Sequence, residues 1–138
     1  SGGATTAAVM GGEATTAFNT LETALSLIRA NRLRALAVST RERSPALPGV
    51  PTAIEAGYKD YEAIGWFGLM APAGTPPAIV EQLGAAVGRA MATPIIRERT
   101  LEQGATPVGS KPVEFERFVR DELAKWTRII HEAGIKLD

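Results

Sequence analysis

The sequence contains no cysteine and a single histidine, His131. Without cysteine there are no disulfides, thiolate zinc sites, iron–sulfur ligands or cysteine nucleophiles. With one histidine, neither a catalytic triad nor a multi-histidine metal site is readily built from this chain. Excess charge of either sign is lacking as well, since fifteen Lys and Arg balance fifteen Asp and Glu. A nucleic-acid binder needs a basic face to displace counterions, so that class is excluded, and a polybasic membrane-surface protein is disfavoured. No apolar run approaches the roughly 20 residues that span a bilayer. The start, Ser1-Gly2-Gly3, leads into small and polar residues rather than a basic and then apolar leader. A mature or excised chain would begin the same way, so this leaves the compartment open. What remains is 138 residues, 45% hydrophobic and 22% charged, enough for one ordinary domain or two very small ones. That composition predicts a folded chain with no metal or cofactor, equipped for binding rather than catalysis.

Short apolar runs alternate with helical periodicity. Ser1 to Met10 reads as a helix ending at Gly11-Gly12, and Ala14 to Phe18 as a short strand. Asn19 with Glu22 matches a capping box for a helix whose face is Leu21, Ala24, Leu25 and Ile28. Asn31 suits a left-handed C-cap. Leu33 to Val38 predicts a buried strand. Pro45, Pro48, Gly49 and Pro51 stiffen the polar loop that follows. Pro51 to Ala56 predicts a short helix stopped by Gly57. Tyr61 to Ala71 predicts an extended segment in which Gly65 and Gly68 mark a bend or a close backbone approach.

The second half reads as helical. Thr75 caps a helix beginning at Pro76, with Ile79, Val80, Leu83, Val87 and Met91 as its stripe. Thr93-Pro94 starts a second helix that stops at Gly104. A third runs from about Pro112 to Gly134 with Phe115, Phe118, Val119, Trp126, Ile129 and Ile130 on one side. Strands separated by helices point to an α/β fold. Three strands are fewer than such a sheet usually has, so the chain is expected to be part of something larger or to pair with another chain.

Few residues suggest a site. Asn19-Thr20 stands where a short strand gives way to a helix N-terminus, the place where α/β folds bind ligands and helices favour anions. Capping and ligand contact are equally good readings of Asn19. His131 belongs to a helix end, where it complements the dipole. Of Trp66 and Phe67, at least one is expected to pack in the core. Trp126 is expected to pack. Arg41-Glu42-Arg43 reads as a solvated loop, and the mixed charges from Glu114 to Lys125 as a wet helix face. No phosphate-cradling glycine pattern occurs. No acid, base and nucleophile stand together, so no catalytic residue is expected.

Segment order carries more. Arg32-Leu33-Arg34-Ala35-Leu36-Ala37-Val38 is followed by Arg43-Ser44-Pro45-Ala46-Leu47-Pro48-Gly49-Val50-Pro51-Thr52 and Glu55-Ala56-Gly57. Then come Trp66-Phe67-Gly68-Leu69-Met70-Ala71-Pro72-Ala73-Gly74-Thr75-Pro76-Pro77 and Ala133-Gly134-Ile135-Lys136. In this order the segments resemble the extracytoplasmic solute receptors of tripartite tricarboxylate transporters, often called Bug receptors. The resemblance covers only the second half of such a receptor. It implies an incomplete type II periplasmic-binding-protein fold. Residues 1–65 would be the later part of the second lobe, and 66–138 the crossover strand and the C-terminal helices of the first lobe. It further implies a periplasmic protein that captures a small organic carboxylate and delivers it to membrane transporter subunits. Asn19 and Thr20 would bind the ligand, and Gly65 and Gly68 would form the hinge. Asn19 aligns where many such receptors place an aspartate, which favours a second carboxylate over an amine on the ligand. The alternative is a standalone module without a small-molecule ligand that self-associates through the surface left by the missing half.

Overall fold

The computed structural model of the chain describes residues 2–136. Ser1, with which the expected first helix began, lies outside them. The chain forms two compact units, Ser1–Leu69 with Pro94–Pro107, and Met70–Thr93 with Val108–Asp138.

In the first unit, α1 (Gly2–Met10) is a helix of alanine, threonine and glycine that ends in Val9 and Met10. The Thr6 hydroxyl, buried, donates to the Gly2 carbonyl at 2.7 Å. α2 (Leu21–Arg29) carries the expected apolar spacing, and its Ala24 and Leu25 are the buried hydrophobic residues among those described. Its N-cap is Thr20, not Asn19, and no side chain caps it. The expected box with Glu22 is absent because the Asn19 amide is engaged elsewhere. At its other end Asn31 takes φ 56° as predicted. There the N–H of Arg32 donates to the Leu27 carbonyl at 2.8 Å and that of Asn31 to Ile28 at 3.0 Å. This is the Schellman arrangement, which satisfies carbonyls the helix leaves open. α4 (Pro94–Glu102) ends in the same way. Ala105 N–H donates to the Thr100 carbonyl at 3.1 Å, and Gly104 to Leu101 at 2.9 Å. Gly104 takes φ 80°, a conformation that side chains disfavour.

The three predicted strands are extended but form no ladder among the described residues. Their one regular pairing is an isolated parallel bridge between Val38 and Thr52. Val38 N–H donates to the Pro51 carbonyl at 2.9 Å, and Ala53 N–H returns to Val38 at 2.8 Å. The apolar pattern marked the right stretches. A strand, however, is defined by a ladder to a neighbour, and among the described residues these three touch only at their ends. The helix expected over Pro51 to Ala56 is a turn instead. Thr52 and Glu55 cap each other reciprocally there, Thr52 N–H on Glu55 Oε2 at 2.8 Å and Glu55 N–H on Thr52 Oγ1 at 3.0 Å. Thr52 is only 2% exposed.

The second unit pairs α3 (Pro77–Ala92) with α5 (Pro112–Glu132). The α3 N-cap is Pro76, one residue later than expected. Thr75 instead turns its hydroxyl back to the Pro72 carbonyl at 2.8 Å. Gly84 lets α3 approach the start of α5, since a Cβ there would lie 2.7 Å from Pro112 Cγ. The Lys111 N–H donates to Glu114 Oε2 at 2.9 Å, which closes the first turn of α5. Further along, the buried Glu122 accepts from Lys125 Nζ at 2.8 Å and from Trp126 Nε1 at 2.9 Å. The Lys125 ammonium, supported by the indole, holds the Glu122 carboxyl below its ordinary range. Trp126, expected to pack away, is thus a half-exposed hydrogen-bond donor.

Candidate functional site

The site begins where two extended segments end. Ala14–Phe18 delivers Asn19 and Thr20 to the start of α2, and Leu33–Val38 delivers Ser39. Both ends meet the stretch that follows Tyr61. Ala63 N–H donates to the Ser39 carbonyl at 3.1 Å, and Ser39 Oγ donates to the Ala63 carbonyl at 2.6 Å. Two residues on, a Cβ at Gly65 would touch Thr20 Cγ2 at 3.4 Å, so the backbone passes close beside Thr20. Ser39, Ala63, Gly65 and Thr20 therefore gather at the carboxyl ends of the extended segments, the edge where α/β folds place ligands.

The first turn of α2 gives this edge its polarity. No side chain caps the helix, and among the described residues no group accepts from the N–H of Leu21 or Glu22. The Thr23 hydroxyl donates to the Thr20 carbonyl at 2.8 Å and lies 3.3 Å from the Thr20 hydroxyl. Open amides at a helix start attract an anion, and Thr20 adds a hydroxyl to them.

Asn19 is built into the scaffold. Its carboxamide lies between the Thr5 and Thr6 hydroxyls, at 2.8 and 3.1 Å. Turning the nitrogen toward Thr5 also brings it to 3.3 Å from the Gly2 carbonyl and 3.2 Å from that of Phe18. In either orientation the amide ties the start of α2 to the first turn of α1. Asn19 and Thr20 are thus neighbours with different employment: one holds two helices together, the other faces the edge.

Of the two predicted hinge glycines, Gly65 lies at this edge and Gly68 is exposed next to the end of the first unit at Leu69. Neither takes a positive φ. Trp66 and Phe67 both depart from the expectation that at least one is core, with Phe67 84% exposed. The extended segment that carries them has no strand beside it to cover either face. His131 is exposed in the last turn of α5. Among the described residues no group of three or more acidic or histidine side chains could hold a metal ion, and no helix is long and apolar enough to cross a membrane.

Sequence reasoning missed a latch in the loop after Ser39. The Arg41-Glu42-Arg43 run is not merely solvated. Arg41 Nε pairs with Glu62 at 3.0 Å, and Arg43 Nε pairs with both Glu55 oxygens at 3.1 and 2.9 Å. Arg43 Nη1 also donates to the Pro48 carbonyl at 3.2 Å. The Thr52-x-x-Glu55 spacing is a capping-box signal that could have revealed part of this. The Arg43 guanidinium, then the Thr52 N–H, hold the Glu55 carboxyl below its ordinary range. A carboxyl depressed in the folded state stabilises it above the unfolded pKa, and that contribution fades as pH falls through the lower folded value. Acidification through that range should therefore lower the protection of the Thr52 amide, read as its exchange rate relative to that of an unstructured chain at the same pH. In Glu55→Gln, exchange there should be fast already at neutral pH and less sensitive to acid. An unchanged protection profile in that variant would remove the latch.

A groove of about 540 Å³ lies elsewhere, at the C-terminal end of α2, lined by Ile28, Asn31, Arg32, Leu33, Arg34, Ala35 and Val50. It is open and brings two arginines together, but it stands at a helix C-terminus, whose dipole disfavours an anion.

The model of the tripartite tricarboxylate transporter family receptors matches residues 1–135. Protein BugT of Bordetella pertussis is 36% identical over 129 residues, covering 94% of this chain and 40% of its own length. A solved periplasmic transporter superposes with a TM-score of 0.87 at 32% identity, covering 96% of this chain and 44% of that one. A structure of an R. palustris protein with adipate gives 0.77 at 37% identity, over 85% of this chain and 39% of that one. The chain thus spans about 40% of the length of the curated relative it matches. Its fold is part of an α/β periplasmic-binding-protein fold, here dominated by helices.

Proposed function

The chain belongs to the tripartite tricarboxylate transporter family of receptors, and from that premise we propose that it is the portion of a solute receptor that grips one end of a small organic carboxylate. The observation that carries this reading is the uncapped start of α2 beside Thr20, Gly65 and Ser39. Two open amides and a hydroxyl match a carboxylate, and charge-assisted bonds of this kind are the strong ones. The adipate in a related structure is consistent with a dicarboxylate. Residues 1–65 then belong to the second lobe, and 66–138 cross back to the first. α4 is the exception, since it packs within the unit of α2. Closure would bend the chain near Gly65 and Gly68, as lobed receptors close on ligands. The loaded receptor would act in the periplasm and deliver its cargo to membrane transporter subunits. It would carry out no chemistry and need no cofactor.

Calorimetric titration of the full-length protein with adipate, malate, aromatic acids and acidic amino acids tests this. Saturable binding of at least one dicarboxylate is expected. Well-folded protein that binds none of them would overturn the reading.

One observation favours a second reading, self-association. Phe18 is 86% exposed and Phe67 84%. The chain exposes 10663 Å² in all. Two independent compact bodies of half its mass would together expose only about 8,300 Å². Exposed aromatic side chains on a chain with this much accessible surface are suited to pairing. A discrete dimer in size-exclusion chromatography, without carboxylate affinity, would favour it.

A further inference from the structure

We propose that Gly104 and Leu21 form a contact that sets the position of the α2 N-terminus, and so tunes carboxylate affinity from a residue that never touches the ligand. The inference rests on the carboxylate site proposed above. Leu21 is the first residue of α2 and follows Thr20 directly. Its side chain lies on the Cα of Gly104: a Cβ at 104 would be 2.6 Å from Leu21 Cδ2 and 2.7 Å from Cγ. Real Cβ atoms essentially never come so close to other heavy atoms. Returning to ordinary packing at about 3.5–4.0 Å requires Leu21 to withdraw by about 1 Å. The amides of Leu21 and Glu22 would move with it, since they are the first turn of the same helix.

Gly104 has little freedom to yield instead. It sits at φ 80° between two hydrogen bonds that end α4, its own to Leu101 at 2.9 Å and that of Ala105 to Thr100 at 3.1 Å. The other face of the Leu21 helix is held too, through Asn19 and the Thr5 and Thr6 hydroxyls. The start of α2 is therefore clamped from two sides, by α1 through hydrogen bonds and by the turn that follows α4 through close packing at Gly104. Chain connectivity gives the second clamp added meaning. Pro94–Pro107 belongs to the unit of α2, whereas the chain before and after it belongs to the other. A shift of the turn at Gly104 would bear on Leu21, and through it on the amides of the first turn of α2.

The test uses the full-length protein and adipate as probe, with Gly104→Ala, Leu21→Ala and the double variant. Gly104→Ala should bind adipate about tenfold more weakly, the loss expected when one charge-assisted hydrogen bond is misplaced. Hydrogen exchange at Thr23, whose N–H donates to the Thr20 carbonyl at 3.1 Å, and at the amides that follow it in α2 should quicken. Adding Leu21→Ala should restore most of the affinity by making room for the new methyl. Leu21→Phe, which leaves the glycine turn intact, should weaken binding as well and serves if Gly104→Ala fails to fold. Parental affinity in Gly104→Ala would overturn the proposal. A double variant no tighter than Gly104→Ala would also overturn it, since backbone strain at 104 would then be the whole effect. If the parent binds no carboxylate, the site reading falls, and unchanged exchange in the first turn of α2 would then overturn the clamp independently.

Discussion

Replacing Leu25 with alanine should lower the unfolding free energy of the full-length protein by about 2–5 kcal/mol, the range for truncating a buried leucine. Leu25 is 4% exposed and lies next to Ala24, the other buried hydrophobic residue among those described. The loss has two parts, the transfer of a side chain back to water and the cavity left against α2. It would be a large share of a total stability of about 5–15 kcal/mol. Urea unfolding with an unchanged denaturant slope reads the difference directly. Leu123→Ala is the control: that side chain is 67% exposed, and its truncation should change stability by no more than about 0.5 kcal/mol. A Leu25→Ala variant as stable as the control would mean that α2 is not the anchor of the first unit.

Changing Asn19 to aspartate should weaken adipate binding about tenfold, while a ligand bearing an amine gains. Aspartate is nearly the same shape and can accept from the Thr5 hydroxyl as the amide oxygen does at 2.8 Å, while the bond the amide donates to Thr6 at 3.1 Å is lost. Charge changes too, one residue from the helix start that would hold a carboxylate. Two like charges about 6 Å apart at an effective dielectric constant of about 40 repel by about 1.4 kcal/mol, which is tenfold in affinity. Titrating adipate and glutamate into parent and variant gives the comparison, and the ratio of the two affinities is the useful readout. It cancels any general damage from disturbing the tie to α1. If adipate binds Asn19→Asp and the parent equally well, Asn19 lies too far from the ligand to matter.

Helices were legible because their signals are local. The apolar spacing of Leu21, Ala24, Leu25 and Ile28, the left-handed Asn31 and the stop at Gly104 are each written within one or two turns, and the structure has all of them. The family was legible too, from the order of its segments rather than from any residue. Strands were not, because pairing is a property of two segments and the pattern of one cannot supply the other. Capping was misread at Asn19 for a related reason. An asparagine before a helix is a good cap, but the Thr5 and Thr6 hydroxyls, 14 and 13 positions away, compete for its amide. The Arg43–Glu55 latch spans 12 positions and was hidden in the same manner. Gly104 read correctly as a helix end, yet nothing local shows that Leu21 lies against it.

The helix ends have a consequence for the order in which the chain acquires structure. α1, α2, α4 and α5 all finish in the same two-bond arrangement, around Gly12, Asn31, Gly104 and Gly134. Each stop is encoded within six residues, so these helices can define their own ends in about a microsecond, before any distant contact forms. The extended segments have no such autonomy and must wait for neighbours, which is the slow part of folding in sheet-containing proteins. Phe18, Leu36 and Phe67 remain exposed in the structure itself. The fast local stops thus order the helices without covering these side chains.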